Sequence, residues 1–190
     1  MIAFNLGTLQ ARRGDHAVAI DLIEEARAIW LDEHGPEDAR ILSCDIAIAA
    51  SELHRGNAAE SAERLEQIIV GLEPREDPQN RMSRARCLIF LVEARTELGQ
   101  MDAVDRAIDE LLLLALERAV GGRDRTKYHV VAARLIAGYR PADAIEILVA
   151  EHDRVVAALG ADHEAAATLA DDRRQTRLRL GEPSSARSSA

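Results

Sequence analysis

The stretch RRGDHAVAIDLIEEA, residues 12–26, decides the fold because it returns along the chain. Its counterparts are HRGNAAESAERLEQI at 54–68, ELGQMDAVDRAIDEL at 97–111, GYRPADAIEILVAE at 138–151 and RLGEPSSA at 179–186. Aligned on Gly14, Gly56, Gly99, Tyr139 and Gly181, the intervals are 42, 43, 40 and 42 residues. A second series of breaks lies half a period away: HGPEDA at Gly35, EPREDPQN at Asp77, VGGRDR at Gly121 and LGADHEAA at Gly160. Between breaks the apolar residues step as a helix does, as in Ala19, Ile23, Ala26 and Trp30, and no segment sustains a two-residue alternation. Side chains able to cap a first turn stand at the starts: Asp15, Asn57 with Glu60 three residues on, Asp77, Asp102 and Asp162. These signals predict an all-α chain of nine helices over 2–13, 15–34, 37–55, 58–72, 78–98, 102–120, 125–138, 141–159 and 162–180. A two-helix unit of this length cannot bury its own apolar face. Neighbouring units must stack, which makes an α-solenoid of antiparallel helix pairs.

Within this pattern, NLGTLQARRGDHAVAIDLIEEA (residues 5–26) resembles a tetratricopeptide repeat. It carries a Leu6-Gly7 pair, the turn glycine Gly14, the small Ala19, the large apolar Ile23 and the small Ala26. The common unit of that family has about 34 residues, whereas the period here is 42. The inter-repeat phrases LDEHGPEDA and ALGADHEAA look like the long-unit variety typified by kinesin light chain and widespread in bacterial signalling proteins. That variety usually reads Leu-Gly-x-x-His-Pro; Glu164 replaces the proline after His163, and Gly35-Pro36 lacks the histidine. The longer unit adds about one turn per helix, roughly 6 Å, and deepens the groove. The match weakens along the chain. Ala49, Ser61 and Leu65 fit the second repeat, Val104 replaces the small residue of the third, and the fourth has an irregular Gly138-Tyr139-Arg140-Pro141 turn. The resemblance implies a right-handed superhelix with repeats at about 1–35, 36–77, 78–121 and 122–160, then a capping helix at 161–181. ATLADDRRQTRLRLG suits such a cap, with Leu169, Leu178 and Leu180 its only large apolar residues, and 182–190 reads as a disordered tail. The amino end lacks a cap, so Met1 is expected to be an internal start or boundary within a longer protein.

Composition narrows the function classes. In 190 residues, 24 basic and 33 acidic side chains leave a charge of −9, which repels phosphate backbones and anionic lipid. Nucleic acid and membrane are therefore excluded as main partners. Aromatic residues are 3% of the chain, too few to stack bases. The most apolar stretch, Leu111 to Leu116, falls well short of the roughly 20 residues a bilayer needs. The start MIAFNLG has no signal-peptide pattern and there are two cysteines, which predicts a cytoplasmic protein with reduced thiols.

Candidate chemistry is sparse, and no catalytic residue, metal site or cofactor is expected. Gly121-Gly122 follows no strand, so it is not a nucleotide cradle. The six histidines lack metal-ligand spacing and read as solvated helix-end residues complementing the dipole. Cys44 and Cys87, one repeat apart, read as small buried residues on adjacent first helices. Axes packed about 8–10 Å apart keep such cysteines beyond the roughly 7 Å limit for a disulfide. Arg173, Arg174, Arg177 and Arg179 form a charged outer face of the cap.

By the same resemblance, the first helix of each pair lines a concave groove that takes an extended or helical peptide. The groove-facing side projects to Arg12, Ser43, His54, Arg86, Glu93, Glu97 and His129, a lining of mixed charge that selects partners by charge. The expectation is a non-enzymatic protein-interaction module with a protein or peptide partner. The alternative is the carboxyl-terminal regulatory part of a larger bacterial signalling protein, a serine/threonine kinase or nucleotide-binding transcription regulator. A third reading is self-association through the uncapped first helix pair.

Overall fold

Three turns one period apart close in the same way. The amides of Asp15, Asn57 and Gln100 each donate to the carbonyl five residues back, at Gln10, Glu52 and Arg95, over 3.0, 3.0 and 2.9 Å. This bond, with a glycine inside the loop, is the Schellman ending of a helix. Gly14 and Gly56 reach φ +87° and +88°, a left-handed conformation that a side chain would strain. The repeat read from the glycines is thus a repeat of one backbone device.

The computed structural model describes residues 2–72, 78–116 and 125–181. Among these the chain forms nine helices and no strand: α1 (Ile2–Arg12), α2 (His16–His34), α3 (Ala39–His54), α4 (Ala58–Gly71), α5 (Pro78–Glu97), α6 (Met101–Leu116), α7 (Arg125–Ile136), α8 (Pro141–Leu159) and α9 (Glu164–Arg179). The fold class is the expected one. The breaks expected at Asp77 and Gly121-Gly122, and the tail at 182–190, lie outside the described residues.

The chain divides into two compact units, Met1–Asp109 and Glu110–Ala190. In the first, α1 packs on α2, α2 on α3, α3 on α4 and α4 on α5, while α3 also meets α1 and α5. Contacts between helices two apart in sequence are what stacking of helix pairs requires. In the second unit, α7 packs on α8 and α8 on α9.

The core of the first unit is built from Ile20, Ile23, Ala26 and Trp30 of α2 against Ile41, Cys44 and Ile48 of α3. Phe4 of α1 closes it, its ring 5.5 Å from that of Trp30. Full burial of such side chains is worth about 1.5–3 kcal/mol each. The core positions recur with the period. Ile23, Leu65, Ile108 and Leu148 are buried, and so are the small or branched Gly7, Ala49, Val92 and Ala132. Gly7 is there for closeness: a Cβ at this position would lie 2.7 Å from Ile23 Cγ1 and 3.1 Å from the carbonyl of Ala19.

The caps differ in detail from those expected. Asp15 accepts from the amide of Val18 at 3.5 Å, as its position suggested. Asn57 is the N-cap of α4 but its side chain makes no cap bond. Its Nδ2 instead donates over 2.5 Å to the buried carboxylate of Glu52, itself held by Arg55 at 3.2 Å, and this charge-assisted bond sets the orientation of the amide. Asp38 caps α3, taking the Arg40 amide at 2.8 Å and both arms of the Arg40 guanidinium at 2.8 and 2.7 Å. That guanidinium lies 5.4 Å from the Trp30 ring. At α9 the cap is His163 rather than Asp162, its Nδ1 accepting from the amide of Ala165 at 3.2 Å. The imidazole stands at a helix amino end, where a cation would oppose the dipole, which corrects the dipole account for this histidine.

Candidate functional site

In the first unit, α1, α3 and α5 leave a depression of about 310 Å³. Its floor is apolar, with Ala47 and Ala50 of α3, Phe90 of α5 and Ile23 of α2; beside the hydroxyls of Thr8 and Ser51, its polar groups are Arg12 of α1, His54 of α3, Arg86 of α5 and His16 at the start of α2. The repeat explains the convergence. Arg12 and His54 are 42 residues apart and occupy one register, while Arg86 repeats Ser43 and Phe90 repeats Ala47, both at 43. Matching registers on stacked helices lie side by side, so residues far apart in sequence meet on one face.

Three of the residues expected from the sequence, Arg12, His54 and Arg86, therefore come together. Glu93 joins them electrostatically. Burial pushes its carboxyl above the ordinary value, the charge of His54 opposes that shift, and the neighbouring Glu97 adds to it. Ser43 is on the same stripe of α3 one turn earlier, its hydroxyl donating to the carbonyl of Ala39 at 3.1 Å, and it does not line the depression.

His129 belongs to the second unit and is 4% exposed. Its Nδ1 lies 2.9 Å from Glu151 Oε2. The reason is register. Across the shorter 40-residue interval, position 129 corresponds to Ile89, Ile46 and Phe4, which is the row that faces the core. An offset of three residues leaves a net rotation of about 60°, so a projection made with the longer interval confuses the row of Arg86 with the adjacent, buried row of Ile89.

Two lining residues, His16 and Phe90, were not among those projected from the sequence. His16 opens a second helix, and its ring stacks on that of His54 with centroids 4.8 Å apart and 30° between planes. Burial lowers the proton affinity of His16; the charge of His54 lowers it further, and Asp15 pulls the other way. Phe90 is the apolar anchor that composition had made scarce.

Elsewhere, Cys44 and Cys87 are free and fully buried, and burial pushes their thiols up to about 11 and about 12. Such thiols are poor nucleophiles. Among the described residues, no group of three or more His, Cys, Asp or Glu could hold a metal ion, and no helix is long and apolar enough to cross a membrane. On α9, Asp171 binds Arg174 and Asp172 accepts both arms of Arg134 from α7 at 3.0 and 2.9 Å. The aspartates of the expected cap are thus engaged within the second unit.

No family model and no curated protein matches the chain. Among solved structures it is similar to a putative kinesin light chain from Podosopora anserina with nearly identical TPR-like repeats, and to a single-substitution form of that protein. In each comparison the TM-score is 0.67 and the identity 18%, over 94% of this chain and 85% of the other. At that identity the likeness establishes a TPR-like helical-repeat fold.

Proposed function

We propose that this chain is a non-enzymatic protein-interaction module which binds a segment of a partner protein along the face formed by α1, α3 and α5. The observation that carries the reading is the convergence of Arg12, His54 and Arg86 over the apolar floor of Ala47, Ala50 and Phe90. An apolar floor with convergent polar groups is what a peptide side chain needs for both affinity and orientation. The repeat fold supports the same reading, since stacked helix pairs expose an extended surface. Cations predominate in the depression although the chain as a whole carries −9, so the face is electrostatically distinct and selects an acidic segment.

A photo-crosslinking amino acid at position 50, inside the depression, tests this against the same group at exposed position 63 on α4. A discrete adduct with one partner at 50 and none at 63 is expected. Equal adducts at both positions would place the partner elsewhere.

A second reading, self-association through the first helix pair, is favoured by a single stripe on α1: Ile2, Leu6 and Leu9 are 85%, 42% and 43% exposed. Their spacing puts them on one helical face. Light scattering should then show a concentration-dependent mass that Leu6→Glu abolishes. A constant monomer mass removes this reading.

A further inference from the structure

Two imidazoles share the depression with two guanidiniums. His54 Nδ1–H donates to the carbonyl of Ala50 at 2.7 Å, which leaves Nε2 for any further partner. His16 Nδ1 is shut off from solvent and has no hydrogen-bond partner. The charged groups around this pair come from every neighbouring element: Arg12 on α1, Asp15 in the turn before α2, and Arg86 and Glu93 on α5. Burial and then the charge of His54 disfavour a proton on His16 while the depression is empty, with Asp15 opposing them. An anion between Arg12 and Arg86 would reverse that balance, because opposite charge favours the protonated ring.

We propose that the depression binds a carboxylate side chain of the partner segment together with a proton taken up by the His16–His54 pair, so that affinity rises as pH falls. This rests on the reading of the α1, α3 and α5 face as the partner site. The floor decides the class of anion. Ala47, Ala50, Ile23 and Phe90 can cover the methylenes of a glutamate and an adjacent apolar side chain, which a small hydrated anion lacks. The depressed proton affinity of His16 agrees with an empty site that waits for its counter-charge.

The probe is a synthetic capped peptide of alternating Leu and Glu, with a matched Leu and Gln peptide as control. Both are titrated calorimetrically in two buffers of different ionisation enthalpy, which counts the protons bound. The Glu peptide should bind about tenfold or more tightly than the Gln peptide, with net proton uptake near pH ~6.5. Its affinity should weaken by up to about tenfold per pH unit as pH rises through the histidine range. The His16→Asn, His54→Gln variant should keep its helicity while losing the proton uptake and the slope; the glutamine amide can still reach the carbonyl of Ala50. Arg86→Gln should weaken the Glu peptide and spare the Gln peptide. Binding without proton uptake, or uptake that persists in the double variant, overturns the proposal and leaves the partner face standing. If the Glu peptide fails to bind at any pH from about 6 to 8, the carboxylate site is wrong, and the crosslink at position 50 decides separately whether the face is.

Discussion

The Nδ1 of His129 lies 2.9 Å from Oε2 of Glu151, and the two side chains are 5% and 1% exposed. Their positions correspond in the other repeats to Phe4, Ile46 and Ile89 and to Ala26, Ile68 and Leu111. One repeat thus carries a polar pair where its neighbours are apolar. Arg154 completes the arrangement, its Nε donating to both Glu151 oxygens at 3.0 Å. Glu151→Leu strands the buried His129 and should cost about 1–3 kcal/mol, whereas His129→Ile leaves Glu151 held by Arg154 and should cost less. The double variant restores the apolar pattern and should be at least as stable as the parent. Denaturant midpoints of the four proteins check this, and additive losses would contradict it.

Gly7 and Gly71 make a contrasting pair. At Gly7 a methyl group would meet Ile23 and the carbonyl of Ala19, whereas at Gly71 nothing among the described residues lies within 4 Å. Gly7→Ala should therefore lower stability by about 1–2 kcal/mol net of its gain in helix propensity. Gly71→Ala should raise stability by up to about 1 kcal/mol. Thermal melts of the two variants should shift in opposite directions.

The fold was largely legible because turn glycines and core rows obey one period, and a period is insensitive to local error. The site was legible only as far as the period held. Arg12, His54 and Arg86 follow from intervals of 42 and 43, while His129 falls beyond the 40-residue interval and lands in the core. His16 escaped notice because it belongs to a second helix and reaches the face only through the Gly14 turn. The Asn57 cap failed for a different reason: Glu52, close in space, competes for the side chain. That competition is set by the Gly56 turn, which brings Asn57 back onto Glu52 five residues earlier.

The cap of α3 should respond to acid. The two-pronged bond from Arg40 holds the Asp38 carboxyl far below its usual 3.8. A carboxyl depressed in the folded state contributes stability that is complete above that value and is lost as pH falls through the folded one. Asp38→Ala should thus lower the melting temperature at neutral pH, and the gap from the parent should narrow in strong acid. A gap independent of pH would contradict the assignment.

His16 gives the opposite sign. Its lowered proton affinity in the fold means that the unfolded chain binds the proton more readily, so stability falls as pH drops through the histidine range near 6.5. His16→Asn should flatten that part of the stability profile, followed by denaturant midpoints across the range. An unchanged slope would show that His16 does not set it.

Burial at Cys44 and Cys87 predicts silence toward thiol reagents. At neutral pH both should label only as fast as the helices open, with a rate that climbs with denaturant. Prompt labelling of either thiol in the native protein would contradict their placement.

The central claim is that a partner segment lies on the face of α1, α3 and α5. It is tested most directly by the crosslinked adduct at position 50, compared between the parent and a variant with Arg86→Glu and Glu93→Arg. Arg86 and Glu93 are half-buried, so the helicity and melting temperature of the variant are measured first, and the adduct is compared in the folded protein. The account predicts that the adduct is lost in the charge-reversed protein. An adduct of undiminished yield in a fully folded variant would contradict it.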